Sequence, residues 1–192
     1  MNSILESSEI VESFKARAEE VSAQVERVAN RELALELVIR LLQQEGVSDA
    51  PHSGAVWAAS PMVGPADRLK LEKSIPGLRF AVTRELAADA KAGISQMDFG
   101  LADTGTLVQC AGEVDKRLVS TLPSTHIAIL STAALLPDLP TVITRLDPRN
   151  SAYLSLITGP SRTADIERVL TIGAHGPKRL VILLVDNLEE AR

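Results

Sequence analysis

Apolar side chains in the first fifty residues recur at a helical spacing. Between Ser7 and Asn30 they return every three or four residues, which places them on one face of a helix. A second stretch, Glu32 to Gln44, has the same spacing, and Gly46 follows it as a C-terminal stop. The pattern predicts helices over Ser7–Asn30 and Glu32–Gln44. We expect the second to pack on the domain, whereas the first either packs there too or serves as an arm for a partner or a dimer.

From about residue 55 onward, short runs of Val, Ile and Leu without strict polar alternation replace the helical spacing. This is typical of strands that are buried on both faces. The runs are Ala55–Ala59, Leu78–Val82, Thr106–Cys110, Thr125–Leu130, Ala152–Ile157 and Leu180–Val185. Helix-like segments lie between some of them, at Pro65–Ile75, Arg84–Ala92 and Thr163–Thr171. The alternation predicts an α/β domain with a mostly parallel sheet over residues 47–192, preceded by a helical segment over residues 1–46.

Composition excludes several classes of protein. Of the 192 residues, 45% are hydrophobic and 23% are charged, enough apolar surface to argue against disorder. The longest aliphatic run, Val181–Val185, is far short of a membrane span. A net charge of −5 and only 3% aromatic residues argue against nucleic-acid binding. No secretory signal is evident at the N-terminus, so we expect a cytoplasmic protein.

Cysteine and histidine usage also narrows the chemistry. The single cysteine, Cys110, excludes an intramolecular disulfide and a self-contained iron–sulfur cluster, which normally takes four thiolates. The three histidines, His52, His126 and His175, have no metal-ligand spacing. Phosphate-loop, dinucleotide-binding and serine-hydrolase signatures are absent. The sequence therefore predicts neither a metal site nor a cofactor in this chain.

Three polar segments remain as candidate ligand sites. The first is the loop Ala102–Thr106, where Gly105 lies between the hydroxyls of Thr104 and Thr106, and where Asp103 adds a carboxylate. An ordinary turn is the alternative for this loop. If it does bind a ligand, the carboxylate would lie at the rim of the site and is a weak candidate for catalysis.

The second segment is Gly159 to Glu167. A strand would run into Gly159 and then into a helix capped by Ser161 or Thr163, with Asp165 in its first turn. Free backbone N–H groups and the Arg162 guanidinium would then receive a carboxylate or a phosphate. The alternative is a well-capped helix whose arginine faces water.

The third segment is the loop Gly173–Pro177, which contains His175 and Gly176. An imidazole held in a tight loop of glycine and proline could bind an anion or transfer a proton near neutral pH, which makes His175 the other weak candidate for catalysis. A histidine in a surface turn is the alternative.

Together and in this order, these segments resemble the lactate-utilisation protein C family, also called the LUD domain. The matching stretches are Ala102–Thr106, Arg117–Pro123 leading into His126-Ile127, and Gly159–Glu167 followed by Gly173–Pro177. The resemblance covers roughly residues 50–190. It implies a three-layer α/β/α fold like that of the sugar-phosphate isomerases and CoA transferases.

The resemblance also implies a role in oxidising L-lactate to pyruvate, alongside partner proteins that carry iron–sulfur clusters. It assigns no catalytic residue, and no glutamate stands in the Ala102–Thr106 loop to act as a CoA-transferase nucleophile. Two alternatives stay open: a stand-alone enzyme acting on a phosphorylated sugar or an acyl-CoA, and a non-catalytic scaffold subunit. Whether the chain is itself an enzyme, or forms a homo-oligomer, is left open by the sequence.

Overall fold

The computed structural model describes residues 2–146, 153–164, 170–172 and 175–188. The helices are α1 (Asn2–Glu20), α2 (Arg31–Gln44), α3 (Pro65–Ser74), α4 (Arg84–Asp89), α5 (Val114–Thr121) and α6 (Leu139–Arg145). The strands are β1 (Gln24–Asn30), β2 (Ala55–Trp57), β3 (Leu78–Arg79), β4 (Ala92–Gln96), β5 (Phe99–Leu101), β6 (Thr106–Cys110), β7 (Thr125–Ser131), β8 (Leu135–Leu136), β9 (Leu154–Ile157), β10 (Arg162–Ala164), β11 (Leu170–Ile172) and β12 (Arg179–Asn187).

A six-stranded parallel sheet in the order β1-β12-β7-β4-β2-β3 forms the centre of the fold. Strand β12 shows why its sequence is apolar throughout. Alternate side chains enter opposite cores, Leu180, Ile182 and Leu184 on one face and Val181, Leu183 and Val185 on the other. A strand buried on both faces has no polar positions, as the run at Leu180–Val185 predicts.

Helices cover both faces of this sheet. On one face α2 and α3 contribute Leu37, Leu41 and Leu71 to the larger core. On the other face α1 contributes Val11 and Phe14, together with side chains of a second sheet. The predicted three-layer α/β/α fold with a mostly parallel sheet is therefore confirmed.

The second sheet has the order β8-β5-β6-β9 and is largely antiparallel. It contains two of the predicted runs, Thr106–Cys110 and Ala152–Ile157. The first run is strand β6 and the second contains β9 (Leu154–Ile157), but the expectation that they join the parallel sheet is wrong. Strand β6 instead pairs antiparallel with both β5 and β9, because a tight turn after β5 reverses the chain.

The predicted helix over Ser7–Asn30 is wrong in its last third. Helix α1 ends at Glu20, and Ser22 takes a left-handed conformation (φ 71°). Backbone bonds from Ser22 N to Glu19 O (2.9 Å) and from Ala23 N to Ala18 O (3.0 Å) close the helix end. Residues 24–30 then form β1, which pairs with β12. Val25 and Val28 would share one face of a helix, but in β1 they pack into the cores on opposite faces of the sheet, and their branched side chains favour the strand.

The predicted helix over Thr163–Thr171 is also wrong at both of its ends. Residues 162–164 and 170–172 are the two strands of an antiparallel hairpin, with Arg162 opposite Ile172. Ser161 and Thr163 are therefore not helix caps. Asp165, placed by prediction in the first helical turn, lies outside the described residues.

Two smaller predictions have different outcomes. Gly46 follows α2 with φ +69°, and its N–H and that of Val47 bond back to Gln43 O and Leu42 O at 3.0 Å, so the predicted helix stop is confirmed. The helix predicted over Arg84–Ala92 is wrong at its end, because α4 stops at Asp89 and β4 begins at Ala92.

Among the described helices, none is both long enough and apolar enough to cross a membrane.

The division of the chain at residue 46 stays a prediction. Side chains on both sides of that boundary share the same cores: Phe14 of α1 and Leu107 of β6 belong to one core, and Leu42 of α2 and Ile127 of β7 belong to the other. The predicted packing of α2 on the domain is confirmed, and α1 packs there as well.

A fully buried imidazole lies in the centre of the sheet. His126 of β7 is 0% exposed, and its Nε2 lies 2.8 Å from the Ser95 hydroxyl of β4. Its Nδ1 has no hydrogen-bond partner among the described residues. Burial lowers the pKa of His126 from 6.5 to about 4, because the charged form loses its hydration there.

We predict that acid destabilises the protein through His126. Below pH 6.5 the His126 imidazole binds a proton in the unfolded chain but stays neutral in the folded chain. The free energy of unfolding therefore falls as pH drops towards 4. Urea titrations should show a loss of about 2 kcal/mol from this group between pH 7 and pH 5, at about 1.4 kcal/mol per unit. The loss should shrink in His126→Gln and persist in the control His52→Gln, whose side chain is 85% exposed. Equal pH dependence in all three proteins would contradict this assignment.

Candidate functional site

The structure brings the described parts of the three candidate segments together. Strands β6 and β9 pair antiparallel, so the first segment lies beside the start of the second, and the hydroxyls of Thr106 and Thr158 lie 2.8 Å apart. Ser161 N then donates to Pro177 O at 2.8 Å, which joins the second segment to the third. The described parts of the three segments are therefore neighbours, joined by these hydrogen bonds.

This region lies at the amino ends of the parallel strands. Pro177 comes two residues before β12 begins, and the contacts of Arg162 reach Val21 and Ser22, just before β1. Open α/β sheets usually bind ligands at the opposite edge, where the strands end. The third segment thus leads into a strand and does not follow the end of one.

Two glycines of the candidate segments make room for helix α1. A β-carbon on Gly105 would lie 2.3 Å from the backbone nitrogen of Ala18, and one on Gly159 would lie 2.6 Å from the carbonyl oxygen of Val21. Both glycines also have positive φ, +65° and +76°. The close approach of the helix end explains why both residues are glycines. Gly105 and Thr106 are buried beneath this helix.

Arg162 contacts the C-terminal end of the same helix. Its Nη2 donates to Val21 O at 2.6 Å and to Ser22 Oγ at 2.7 Å. A guanidinium is favourable there because the helix end carries unpaired carbonyl oxygens and partial negative charge. The helix start that was expected to help Arg162 bind an anion is replaced by strand β10, so that part of the prediction loses its basis.

Asp103 and Thr104 lie exposed at the turn between β5 and β6. Thr104 Oγ1 donates to Asp103 Oδ1 at 3.2 Å. Asp103 lines a cavity of about 460 Å³ together with Glu9 and Ser13 of α1. Two carboxylates and no basic residue line this cavity, which is unfavourable for a negatively charged ligand. The predicted binding role of this loop stays untested.

His175 and Gly176 line a different cavity, of about 510 Å³. Thr121 and Ser124 contribute hydroxyls to it and Lys178 contributes an ammonium group, while Ala88, Ala90 and Leu122 supply apolar surface. None of the described residues that line it is Asp or Glu. We refer to it as the amino-edge cavity, because it opens where β4, β7 and β12 begin.

Lys178 supplies positive charge to the amino-edge cavity. The Lys178 ammonium and the His175 imidazole make no ion pair with any described residue. Asp89 lies between Ala88 and Ala90 in the sequence. Its carboxylate contacts the His52 imidazole and does not line the cavity. A small anion entering here would meet unpaired positive charge, whereas at Arg162 it would compete with a helix end.

At the opposite edge of the sheet, polar side chains mostly pair with one another. Ser60 Oγ, after β2, donates to Gln96 Oε1 at the end of β4 at 2.5 Å. Arg31 pairs with Asp67, and Arg27 Nε donates to Asp186 Oδ1 at 2.9 Å. One exception is Gln109 Oε1, which is buried and has no partner among the described residues.

The sequence did not point to this edge. Strand β4 has the sequence Ala92-Gly93-Ile94-Ser95-Gln96, and its small and polar residues do not match the apolar pattern of a buried strand. The sequence therefore did not show that Gln96 lies at the end of a strand. Recognising β4 would have identified β2 and β4 as the pair of strands where the chain order reverses. Among the described residues, no group of three or more His, Cys, Asp or Glu side chains is arranged to hold a metal ion.

Comparison with protein families identifies the domain. The profile of the LUD domain matches residues 11–185 of the chain. The chain belongs to the LUD domain family. The resemblance inferred from the three segments is thereby confirmed, and the match also includes the second half of α1 and all of β1, which the resemblance left out.

Known relatives of this LUD domain include several proteins called lactate utilization protein C. The one from Halalkalibacterium halodurans is 37% identical over 109 residues, which cover 54% of this chain and 47% of that protein. The one from Bacillus subtilis is 36% identical over 107 residues, covering 53% and 45%. The chain therefore spans about half the length of these curated relatives. An uncharacterized protein of Escherichia coli, YkgG, is 28% identical over 80% of this chain and 70% of its own.

A solved structure supports the fold of the LUD domain. A DUF162 family protein from Deinococcus radiodurans superposes with a TM-score of 0.64 over 93% of this chain and 98% of that one, at 18% identity. At this level of identity the similarity concerns the fold alone. The expected resemblance to sugar-phosphate isomerases and CoA transferases stays a prediction.

We predict that Gly105→Ala destabilises the protein strongly, because an alanine there is both conformationally strained and in collision with Ala18. The two effects together should cost about 2–5 kcal/mol. Gly112→Ala is the matched control, since a β-carbon there meets nothing within 4 Å and should change stability by less than about 1 kcal/mol. Chemical denaturation measures both. Similar stabilities for the two variants would show that α1 does not pack on Gly105.

Proposed function

We propose that this LUD domain is a component of an L-lactate utilisation system and binds a small carboxylate in the amino-edge cavity. The proposed role in lactate utilisation is supported by the family membership and by relatives that are named for lactate utilisation. The observation that carries the binding proposal is that Lys178 and His175 both line this cavity, and that its described lining residues include no Asp or Glu.

The chemistry of the cavity suits a short hydroxylated acid. A carboxylate accepts charge-assisted hydrogen bonds from an ammonium or imidazolium group, each stronger than a neutral hydrogen bond. The apolar surface of Ala88, Ala90 and Leu122 would contact the methyl group of lactate. His175 would serve as a ligand-binding residue, and Gly176 would keep the loop close to Ser161, since a β-carbon on Gly176 would lie 3.1 Å from Ser161 Cβ.

Oxidation itself is assigned to partners in this proposal. The redox step of lactate oxidation removes two electrons, and the chain has one cysteine and no proposed cofactor of its own. Iron–sulfur partner proteins, which the family resemblance implies, would accept these electrons. The LUD domain would then act in the cytoplasm as a binding or accessory subunit.

A second candidate function rests on the size of the cavity. A volume of about 510 Å³ falls in the range that holds ligands much larger than lactate. A phosphorylated sugar would place its phosphate near Lys178 and extend over the apolar side chains. This alternative corresponds to a stand-alone enzyme, and the same binding experiment includes it.

We predict that Lys178→Gln weakens binding of L-lactate by about tenfold to a hundredfold, the range expected for losing one charged hydrogen bond. Isothermal titration calorimetry with L-lactate, lactamide and ribose 5-phosphate measures this. Lys70→Gln, a change at another exposed lysine, is the matched control and should bind as the wild type does. Lactamide, which lacks the carboxylate charge, should bind weakly to all three proteins.

Two outcomes of this titration count against the proposal. Equal affinity of wild type and Lys178→Gln for lactate would remove the amino-edge cavity as the carboxylate site. Binding of ribose 5-phosphate without binding of lactate would favour the sugar-phosphate alternative.

We also predict that the LUD domain co-purifies with cysteine-rich proteins encoded beside it, and that the assembly, but not the chain alone, is reduced by lactate. Deleting residues 1–30 is not a usable control, because it removes α1 and β1 from the cores. Charge reversal at the exposed Glu9 and Glu12 of α1 tests instead whether this helix recruits the partners. Lactate oxidation by the purified chain without partners would contradict an accessory role.

A further inference from the structure

The amino-edge cavity contains two hydroxyls whose protons are already engaged. Thr121 Oγ1 donates to Arg117 O at 2.6 Å, one turn back in α5. Ser124 Oγ donates to Lys91 O at 2.9 Å, across the gap between the starts of β4 and β7. A hydroxyl has one proton and two lone pairs, so towards a ligand each of these groups can only accept a hydrogen bond.

Backbone N–H groups next to the cavity are engaged too. Lys178 N donates to Ser124 O at 2.7 Å, and Leu122 N donates to Leu118 O at 3.0 Å. Among the side chains that line the cavity, the donors left for a ligand are those of Lys178 and His175, which a carboxylate would occupy. The cavity thus offers positive charge to a carboxylate and hydrogen-bond acceptors to the rest of the ligand.

We infer that the amino-edge cavity selects 2-hydroxycarboxylates over 2-oxocarboxylates, with Ser124 and Thr121 as the residues that determine this specificity. The inference rests on the proposed carboxylate binding and adds the oxidation state of the ligand. A 2-hydroxyl donates its proton to one of the two hydroxyl oxygens. A 2-oxo oxygen only accepts, so it would lie against acceptors or force a hydroxyl to give up its bond to the backbone.

Such a site rejects the wrong ligand by leaving polar groups unpaired, which is more discriminating than apolar shape alone. The protein would therefore bind lactate before oxidation and release pyruvate after it. In an assembly that oxidises lactate, this preference draws the substrate in and prevents the product from occupying the site.

The test is the affinity of the purified full-length chain for L-lactate, pyruvate and propionate, measured by isothermal titration calorimetry. We expect lactate to bind about threefold to tenfold more tightly than pyruvate, the range for one net hydrogen bond. Propionate has neither a donor nor an acceptor at the second carbon, and we expect it to bind no more weakly than pyruvate.

Variants of the two hydroxyls assign the preference. Ser124→Ala and Thr121→Val should each reduce lactate binding and, in combination, bring it close to that of pyruvate, while pyruvate binding is unchanged. Thr144→Val is the matched control, because Thr144 Oγ1 also donates to a helix carbonyl, at 2.8 Å, but lies on α6. Circular dichroism establishes that each variant is folded, and the single variants replace the double variant if it is not.

The outcomes separate this inference from the function it rests on. Equal or tighter binding of pyruvate, together with sensitivity to Lys178→Gln, overturns the preference and leaves carboxylate binding intact. A lactate preference that survives in both Ser124→Ala and Thr121→Val overturns the assignment to these residues. Absence of binding by all three acids overturns both.

Discussion

Strand β12, near the end of the described chain, pairs in one sheet with β1, which lies near its start. It pairs with β1 from Gln24 to Asn30 on one side and with β7 on the other, and its side chains contribute to both large cores. Every layer of the domain therefore depends on this strand. Its first residues also fix where Lys178 lies, since Lys178 N is bonded to Ser124 O at the start of β7. The geometry of the amino-edge cavity thus follows from the strand pairing.

Most of the α/β architecture was predictable because short, continuous runs of Val, Ile and Leu are typical of strands buried on both faces. The runs at Thr125–Leu130 and Leu180–Val185 are strands for the reason given by their composition: they are buried on both faces. Strand β1 was not predictable by the same reasoning, since its valines fit a helical spacing as well as a strand, and only pairing with β12 decides between them. Strand β4 was missed because Gly93 and Ser95 interrupt its apolar pattern where α5 and His126 pack closely.

The candidate site was predicted in part. Gly105 and Gly159 are distinctive in the sequence, and the structure explains both by the close approach of α1. Arg162 is distinctive as well, yet its described partners are the end of that helix. A glycine-rich or arginine-bearing motif carries the same residues whether it receives a ligand or a neighbouring helix, so sequence alone cannot separate the two. Lys178 and Ser124 were not singled out, because nothing in their local sequence shows that the starts of β7 and β12 lie side by side.

The pairing of β1 with β12 has a consequence for synthesis on the ribosome. Strand β1 can pair with its neighbour only after Val181, which lies opposite Gln24, has been synthesised, since β1 pairs with no other described strand. At typical translation rates that interval is roughly 8 to 30 s. During it, the valines of β1 and the apolar face of α1 are exposed in an incomplete nascent chain. Chaperone demand should therefore be concentrated on the first fifty residues until β12 joins β1 to the rest of the parallel sheet.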